Sequence, residues 1–308
     1  MGQYTLRRLL QMIPVFLGTT FFIFAMVFAL PGDPFAGKCG DRPCPEQYVA
    51  AQTEKYGLDQ PLMVQYAKYM GNLLTGDFGE TFSGEPVINE LARAFPISFK
   101  LTSMAIIIEV IFGISAGVLS ALRRGSFLDN LVLVSTLAVI SIPVFVLGYF
   151  AQYFFGVQLG WFPPTVSSGA PLSDLILPAF VLAALSLAFV ARLMRTTMSE
   201  NIRADYVRTA TAKGLPRRDV VQHHIMRNSL IPVVTFIGLD FGALMGGAVV
   251  TEGIFNIKGV GGLIFLGIRT REGATVTAAI TVIVLVVLLI NLLVDLLYGV
   301  LDPRIRYE

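Results

Sequence analysis

The 308-residue chain carries more apolar surface than a soluble domain of this length could bury. Hydrophobic residues make up 55% of the sequence, charged residues make up only 14%, and the mean hydropathy is +0.70. These values exclude a soluble globular protein and place the excess apolar surface in a lipid bilayer. The formal net charge of +2 then indicates a basic rim beside the membrane and not a nucleic-acid-binding surface.

Six charge-poor apolar runs have about the length, 17 to 25 residues, that crosses the roughly 30 Å hydrocarbon core of a bilayer. They extend from Leu9 to Leu30, Ile97 to Ala121, Leu131 to Val157, Leu175 to Ala191, Leu230 to Thr251, and Thr275 to Leu297. None alternates with the period of two that marks a barrel strand, so each predicts a helix. We therefore predict an all-α integral membrane protein of about six transmembrane helices, organised as a single domain over residues 1–308.

The first run has an alternative interpretation as a secretory signal, because Arg7 and Arg8 precede it. Its apolar stretch is longer than a signal core, and no small-x-small cleavage pattern follows it, so we assign it to the first transmembrane helix. Positive charge sets the orientation. Arg123 and Arg124 follow the second run, and eight lysines and arginines lie from Arg192 to Arg227, whereas the loop between the third and fourth runs has none. Both termini are therefore predicted to be cytoplasmic.

The segment between the first two runs, residues 31–96, is too polar for the bilayer and is predicted to form a folded cap on the outer side. Glu46 to Tyr56 is typical of a short helix that Gly57 stops. Pro61 to Leu74 is typical of a second helix, with proline at its first position.

Two cysteines, Cys39 and Cys44, lie five positions apart in this outer loop. Outside the membrane, a small disulfide loop is favoured over free thiols. No histidine lies on that side, so a metal site is not expected there. The only two histidines of the chain, His223 and His224, are adjacent and diverge by about 100° on a helix, which makes a shared metal site a poor interpretation.

The basic segment between the fourth and fifth runs, residues 196–229, is predicted to form a helix, a sharp turn and a second helix beside the membrane. Asn201 to Lys213 has helical character. Gly214 supplies a C-terminal stop, and Pro216 permits a new helix to begin.

On the first of these helices, Asp205 is placed to meet Arg208 and Thr209 one turn later. Small side chains would let another protein approach the helix closely. They are those of Ala204, Ala210 and Ala212. A solvated amphipathic linker fits the same residues.

The run from Tyr206 to Leu215 resembles the coupling loop of the B-type permeases of dipeptide and oligopeptide ABC importers. Other stretches resemble the same family, in the same order, along nearly the whole chain. They are Leu30 to Pro34, Tyr56 to Leu62, Gly76 to Gly79, Gly246 to Glu252, and Leu301 to Arg306. The resemblance implies the type I ABC importer permease fold and import of dipeptides, oligopeptides or similar small solutes.

In that family the coupling loop forms a helix that docks in a cleft of the ATPase subunit. The resemblance implies this role for Asp205, Tyr206, Arg208, Thr209, Ala210, Lys213 and Gly214. It also implies a homologous second (C-type) permease, two ATPase subunits that hold ATP and magnesium, an extracytoplasmic substrate-binding protein and a bacterial inner membrane. No cofactor is expected in this chain, because its sequence has no Gly-x4-Gly-Lys-Ser/Thr loop.

Three carboxylates, Glu109, Asp240 and Glu252, fall inside the apolar runs or at their ends. Such groups cost about 2.5 to 3.5 kcal/mol to insert and therefore face partners or water. We expect Asp240 and Glu252 to border a solvated translocation path. Glu109 fits either a path residue or a structural carboxylate bonded to a neighbouring helix. Five glycines in the same runs predict close helix packing. They are Gly113, Gly117, Gly242, Gly246 and Gly247.

The expected mechanism is alternating access driven by ATPase subunits that pull on the coupling loop. A rival is an ion-coupled secondary transporter with Glu109 and Asp240 as proton or sodium sites, which predicts an inverted internal repeat that the sequence does not show. A membrane enzyme is a third option, but no Ser/His/Asp or Cys/His set is present. Within the ABC interpretation, haem, glutathione and nickel are alternatives to peptides.

Overall fold

A computed structural model describes residues 2–28, 39, 44–57 and 59–301, and within these ranges the chain forms eleven helices. In chain order they are α1 (Gly2–Phe28), α2 (Glu46–Tyr56), α3 (Leu62–Leu74), α4 (Val87–Leu122), α5 (Phe127–Ser141), α6 (Val144–Gln158), α7 (Leu172–Asn201), α8 (Asp205–Ala212), α9 (Arg217–Ile254), α10 (Val260–Thr270) and α11 (Gly273–Leu301).

Five of these helices are long and apolar enough to cross a membrane, namely α1, α4, α7, α9 and α11. Helices α5 and α6 add a sixth span when the bent pair is taken as one. The predicted all-α membrane class with about six spans is confirmed.

The third predicted span is broken in its middle. Helices α5 and α6 meet at an angle of 104°. Pro143 is the cause, because a residue that precedes proline is pushed out of the helical region, and Ile142 has φ −103° and ψ 127°. The apolar run from Leu131 to Val157 is therefore two helices and not one.

The second helix predicted in the basic segment is not a separate element. It begins at Arg217 directly after Pro216, as predicted, but it continues without a break to Ile254. Backbone hydrogen bonds hold a helix together whether its side chains are polar or apolar, so α9 starts well before the apolar run that begins at Leu230. The prediction of a helix lying by itself beside the membrane is thus corrected: these turns are the first part of the spanning helix α9.

By their contacts, the residues fall into two compact units, 1–99 with 256–308, and 100–255. In the first unit α3 packs on α1 and α11 through an aromatic face. The rings of Tyr66 and Tyr69 lie 5.7 Å and 5.4 Å from the ring of Phe24. The Tyr69 hydroxyl lies 2.8 Å from Thr281 Oγ1. Burial raises the pKa of Tyr69 to about 12, because the ionised form would lose its hydration in this packed face.

The first unit also contains the disulfide that the sequence favoured and a helix that the sequence did not predict. The disulfide joins Cys39 to Cys44, whose Cα atoms are 5.3 Å apart. The additional helix is α10, which is too short to register as a span. Its first N–H, at Val260, donates to Ser98 Oγ at 2.8 Å, which satisfies one of the free donors of a helix start.

Helix α7 lies at the centre of the second unit, where α4, α5, α6 and α9 pack on it. Two glycines of α4 permit this contact. A Cβ on Gly117 would lie 2.6 Å from Ala191 O, and one on Gly113 would lie 2.9 Å from Val190 Cγ1. Their predicted role in close helix packing is confirmed. The same prediction fails at Gly246 of α9, where a Cβ would meet nothing within 4 Å in the described part of the chain.

Candidate functional site

Helix α8 is a short helix between two turns of the basic segment. Asp205 lies in its first turn, where a negative charge is favourable. Gly214 lies two residues after the last residue of α8 and has φ +79°, a conformation that glycine adopts without steric cost. The predicted glycine stop is confirmed, but the helix is shorter than the predicted range from Asn201 to Lys213, because residues 201–204 form a turn.

One face of α8 packs on an apolar cluster, which we name the α8 cluster. Val207 and Ala210 share this face because they are three residues apart, and they are 6% and 4% exposed. The other buried members come from α4, α7 and α9. They are Ala121, Val190, Met194, Met198, Val220, Ile225 and Val233. The cluster therefore attaches α8 to three longer helices of the second unit.

The opposite face of α8 presents polar groups to solvent. Arg208 Nη1 lies 3.4 Å from Asp205 Oδ1, which confirms the predicted pair, and both side chains are largely exposed. Thr209 Oγ1 donates to Asp205 O at 2.9 Å. Of the seven residues predicted to take part in coupling, Ala210 is buried. The exposed ones are Asp205, Tyr206, Arg208, Thr209, Lys213 and Gly214.

The two helices that flank α8 are held together directly. Asn201 Nδ2 of α7 donates to Ser229 Oγ of α9 at 2.8 Å, and Thr197 Oγ1 donates to Ser229 O at 3.2 Å. His223 and His224 lie in the same part of α9, and His223 Nδ1 is 3.3 Å from Asp219 O. No group of three His, Cys, Asp or Glu side chains that could hold a metal ion occurs among the described residues.

A buried ion pair connects α5 to α7 at the same end of the second unit. Asp129 is 2% exposed and accepts from Arg195 Nε at 2.6 Å and from Arg195 Nη2 at 2.9 Å. It also accepts from Ser120 Oγ and from the Gly125 N–H. Sequence reasoning missed this pair and counted Arg195 only as positive charge. The local signal at Ser126, three residues before Asp129, is typical of a helix cap and marks the start of α5, but it does not indicate the partner of Asp129.

A second pair of acidic side chains lies in the spanning helices. Glu109 of α4 and Asp240 of α9 are neighbours within interaction range, and Asp240 also interacts with Ser186 of α7. Glu109 is 0% exposed, and neither of its oxygens has a hydrogen-bond partner of good geometry among the described residues. No ion pair between described residues includes either carboxylate. Glu109 also opens a π-helical stretch, Glu109–Gly113, an irregularity frequent at functional sites.

Glu252 is not part of this pair. It follows Asp240 by twelve residues, which places it about 18 Å farther along α9 and about 120° around its axis. It is 0% exposed. The nearby end of α9 is held by Gln152 Nε2, which donates to Ile254 O at 2.9 Å. Of the three predicted path residues, the structure brings together Glu109 and Asp240 and keeps Glu252 apart.

Comparison with known proteins covers nearly the whole chain. Residues 109–307 match the family described as the binding-protein-dependent transport system inner membrane component, and residues 1–102 match the family of its N-terminal part.

Named relatives are similar over their full length. The dipeptide transport system permease of Alkalihalophilus pseudofirmus is 37% identical over 99% of both chains. The di/tripeptide transport system permease of Pseudomonas aeruginosa and the glutathione transport system permease of Shigella flexneri are each 39% identical over 100% of both chains.

Proposed function

The chain belongs to the inner-membrane components of binding-protein-dependent transport systems, and on this basis we propose that it translocates dipeptides or peptides of similar size, glutathione among them. The observation that carries this proposal is similarity of 37 to 39% over 99 to 100% of the chain to relatives named for dipeptide, di/tripeptide and glutathione transport. The chain is a permease subunit of an ABC importer in the inner membrane, and ATP hydrolysis belongs to separate ATPase subunits.

Helix α8 is the element that docks on the ATPase in this proposal. Its construction supports the role, because an apolar face fixes it to its own chain and its polar face is left to a partner. The α8 cluster connects it to α7 and α9, which the Asn201–Ser229 hydrogen bond holds together and both of which are long enough to cross the membrane. A displacement of α8 by the ATPase would therefore be transmitted through the α8 cluster to two spanning helices.

Asp240 and Glu109 contribute to the translocation path in this proposal. Carboxylates at membrane depth are costly unless they meet water or a partner, and the described part of this chain gives Glu109 no hydrogen bond of good geometry. A second permease subunit would enclose the path and supply what a single chain lacks.

The predicted orientation places both termini and α8 in the cytoplasm, as the distribution of arginine favours. On that side, two ATPase subunits with ATP and magnesium would engage this chain and its homologous partner. A substrate-binding protein would deliver peptide from the other side.

Transport in proteoliposomes tests the proposed substrate and energy source together. The complex purified with its co-expressed subunits is expected to import radiolabelled dipeptide only when ATP is enclosed with the ATPase subunits. Glutathione uptake in the same vesicles distinguishes the two peptide classes. Uptake that follows an imposed proton or sodium gradient without ATP would contradict the proposal.

Docking of α8 is tested on its exposed face, because a bulky side chain at Ala210 would displace α8 from its own cluster. Arg208→Glu is expected to lower ATP-driven uptake at least about tenfold, since it reverses a charge at the proposed contact. Arg218→Glu makes the same charge change on an exposed residue outside α8 and is expected to leave uptake within about twofold. Equal uptake by the two variants would remove the proposed docking role of α8.

A further inference from the structure

A cavity of about 560 Å³ lies between α8 and the ends of α4, α7 and α9, within the second unit. Three arginines from three different segments line it: Arg124, Arg203 and Arg217. All three are exposed, and none forms an ion pair with another described residue. Three cations around one cavity repel each other, so the cavity favours an anionic occupant.

The rest of the lining is mostly apolar. It includes Ile202, Leu215 and Val221. A free inorganic anion would gain nothing from such walls, because contact with an apolar surface removes part of its hydration and offers no hydrogen bond in return. A ligand with a phosphate at one end and hydrocarbon at the other satisfies both parts of the lining.

The position along the helices also fits an amphiphile. The lining starts at Ala121, the last residue of the apolar run of α4, and continues into the charged turn with Arg124. On α4, the boundary between hydrocarbon and headgroups therefore falls beside this cavity. Basic pockets between transmembrane helices at this depth are suited to acidic lipid headgroups.

One polar atom in the cavity has no described partner. Ser199 lines the cavity, and its Oγ is buried without a hydrogen bond among the described residues. A hydroxyl can donate to a phosphate oxygen, and arginine guanidinium groups bind phosphate with two parallel N–H bonds. We propose that this cavity, which we name the arginine cavity, binds the phosphate headgroup of an anionic phospholipid.

A lipid in the arginine cavity would affect the coupling of α8 to the ATPase, because Val207 and Thr211 of α8 form part of the cavity wall. A bound lipid would connect α8 with the ends of three other helices and would hold it in place for the ATPase. This consequence rests on the docking role proposed for α8, whereas the binding of lipid does not.

Native mass spectrometry of the delipidated transporter complex tests the binding, with phosphatidylglycerol, phosphatidylcholine and inorganic phosphate as probes. The double variant Arg124→Gln/Arg217→Gln is expected to lose one phosphatidylglycerol, with affinity about 25-fold lower if each arginine contributes about fivefold. Because both side chains are exposed, the change is not expected to unfold the protein.

The matched control is Arg123→Gln/Arg218→Gln. It removes the same charge from the same two segments, at neighbouring arginines that do not line the cavity. Binding of phosphatidylglycerol equal to wild type in this control, with weak binding of phosphatidylcholine, supports the proposal. Equal loss in both variants would reduce the effect to general surface charge and overturn it. Displacement of the lipid by inorganic phosphate at similar concentration would identify a free-anion site and would equally overturn it.

Uptake in vesicles with and without phosphatidylglycerol separates this inference from the proposed function. We expect the wild-type transporter to import dipeptide in both kinds of vesicle, and faster in those with the anionic lipid. Loss of that lipid dependence in Arg124→Gln/Arg217→Gln but not in the control supports the regulatory consequence. ATP-driven uptake with no response to lipid would leave the importer role intact and would refute the regulatory consequence.

Discussion

Asp129 and Glu109 are both buried carboxylates of the second unit, 2% and 0% exposed, and their surroundings are opposite. Asp129 accepts two hydrogen bonds from Arg195 and further ones from Ser120 and Gly125. Glu109 has a second carboxylate, Asp240, as its neighbour and no hydrogen bond of good geometry among the described residues.

Asp129 thus has the hydrogen bonds of a structural carboxylate, whereas the described part of the chain leaves Glu109 without them. A buried charge whose hydrogen bonds are all made holds the surrounding helices together, so a substitution there lowers the free energy of unfolding. A buried carboxylate without such bonds costs stability in the isolated chain, and in membrane proteins such groups commonly serve a task that requires water, a proton or a partner chain.

Removal of Arg195 is expected to have the largest effect on stability. Arg195→Ala leaves Asp129 buried without its cation, which costs about 3 to 5 kcal/mol in similar buried pairs. Thermal unfolding of the purified complex is the measurement. Arg192→Ala, one turn earlier on α7 and outside the ion pair, is the control and is expected to unfold near the wild-type temperature. A small, equal change in both variants would mean that the pair does not fix α5 to α7.

Much of α8 followed from the sequence, because its determinants are local. Gly214 and Pro216 mark the end of one helix and the start of the next, and Asp205 meets Arg208 within a single turn. Such signals act over three or four residues and need no knowledge of the rest of the fold.

The two carboxylate environments did not follow from the sequence, because they depend on distant residues. Arg195 is 66 positions from Asp129, and no local pattern connects them. Glu109 and Asp240 could be recognised only as intramembrane acids, and nothing in the sequence indicated that α4 and α9 place them side by side. The bend at Pro143 was within reach of the local rule for residues that precede proline.

Neutralising the carboxyl pair is expected to have a smaller effect on stability and a specific effect on transport. Glu109→Gln and Asp240→Asn each replace one of two neighbouring carboxyl groups with an amide of similar shape, and no cation among the described residues loses a partner, so the free energy of unfolding is expected to change by no more than about 1 kcal/mol or to rise. Uptake of dipeptide is expected to fall in Asp240→Asn if the residue borders the path.

Asp129→Asn is the matched control for these substitutions, because it neutralises a carboxylate of similar burial that has its bonds satisfied. It is expected to destabilise the protein clearly in the same thermal unfolding measurement. Equal destabilisation by Glu109→Gln and Asp129→Asn would end the distinction between the two sites. Unchanged uptake and normal assembly in Asp240→Asn would argue against its role in the path.

The smallest expected effect comes from a third carboxylate, Asp205, which is 96% exposed and lies 3.4 Å from Arg208, which is 75% exposed. Exposed ion pairs of this kind contribute little, because water screens the charges and the side chains lose freedom on pairing. Asp205→Ala is therefore expected to leave the unfolding temperature unchanged within error, while ATP-driven uptake falls if the ATPase contacts this end of α8. An unfolding temperature lowered as much as in Arg195→Ala would show that the pair supports the fold of α8. The effects of substitution at Asp129, Glu109 and Asp205 on stability would then no longer follow their burial and hydrogen bonding.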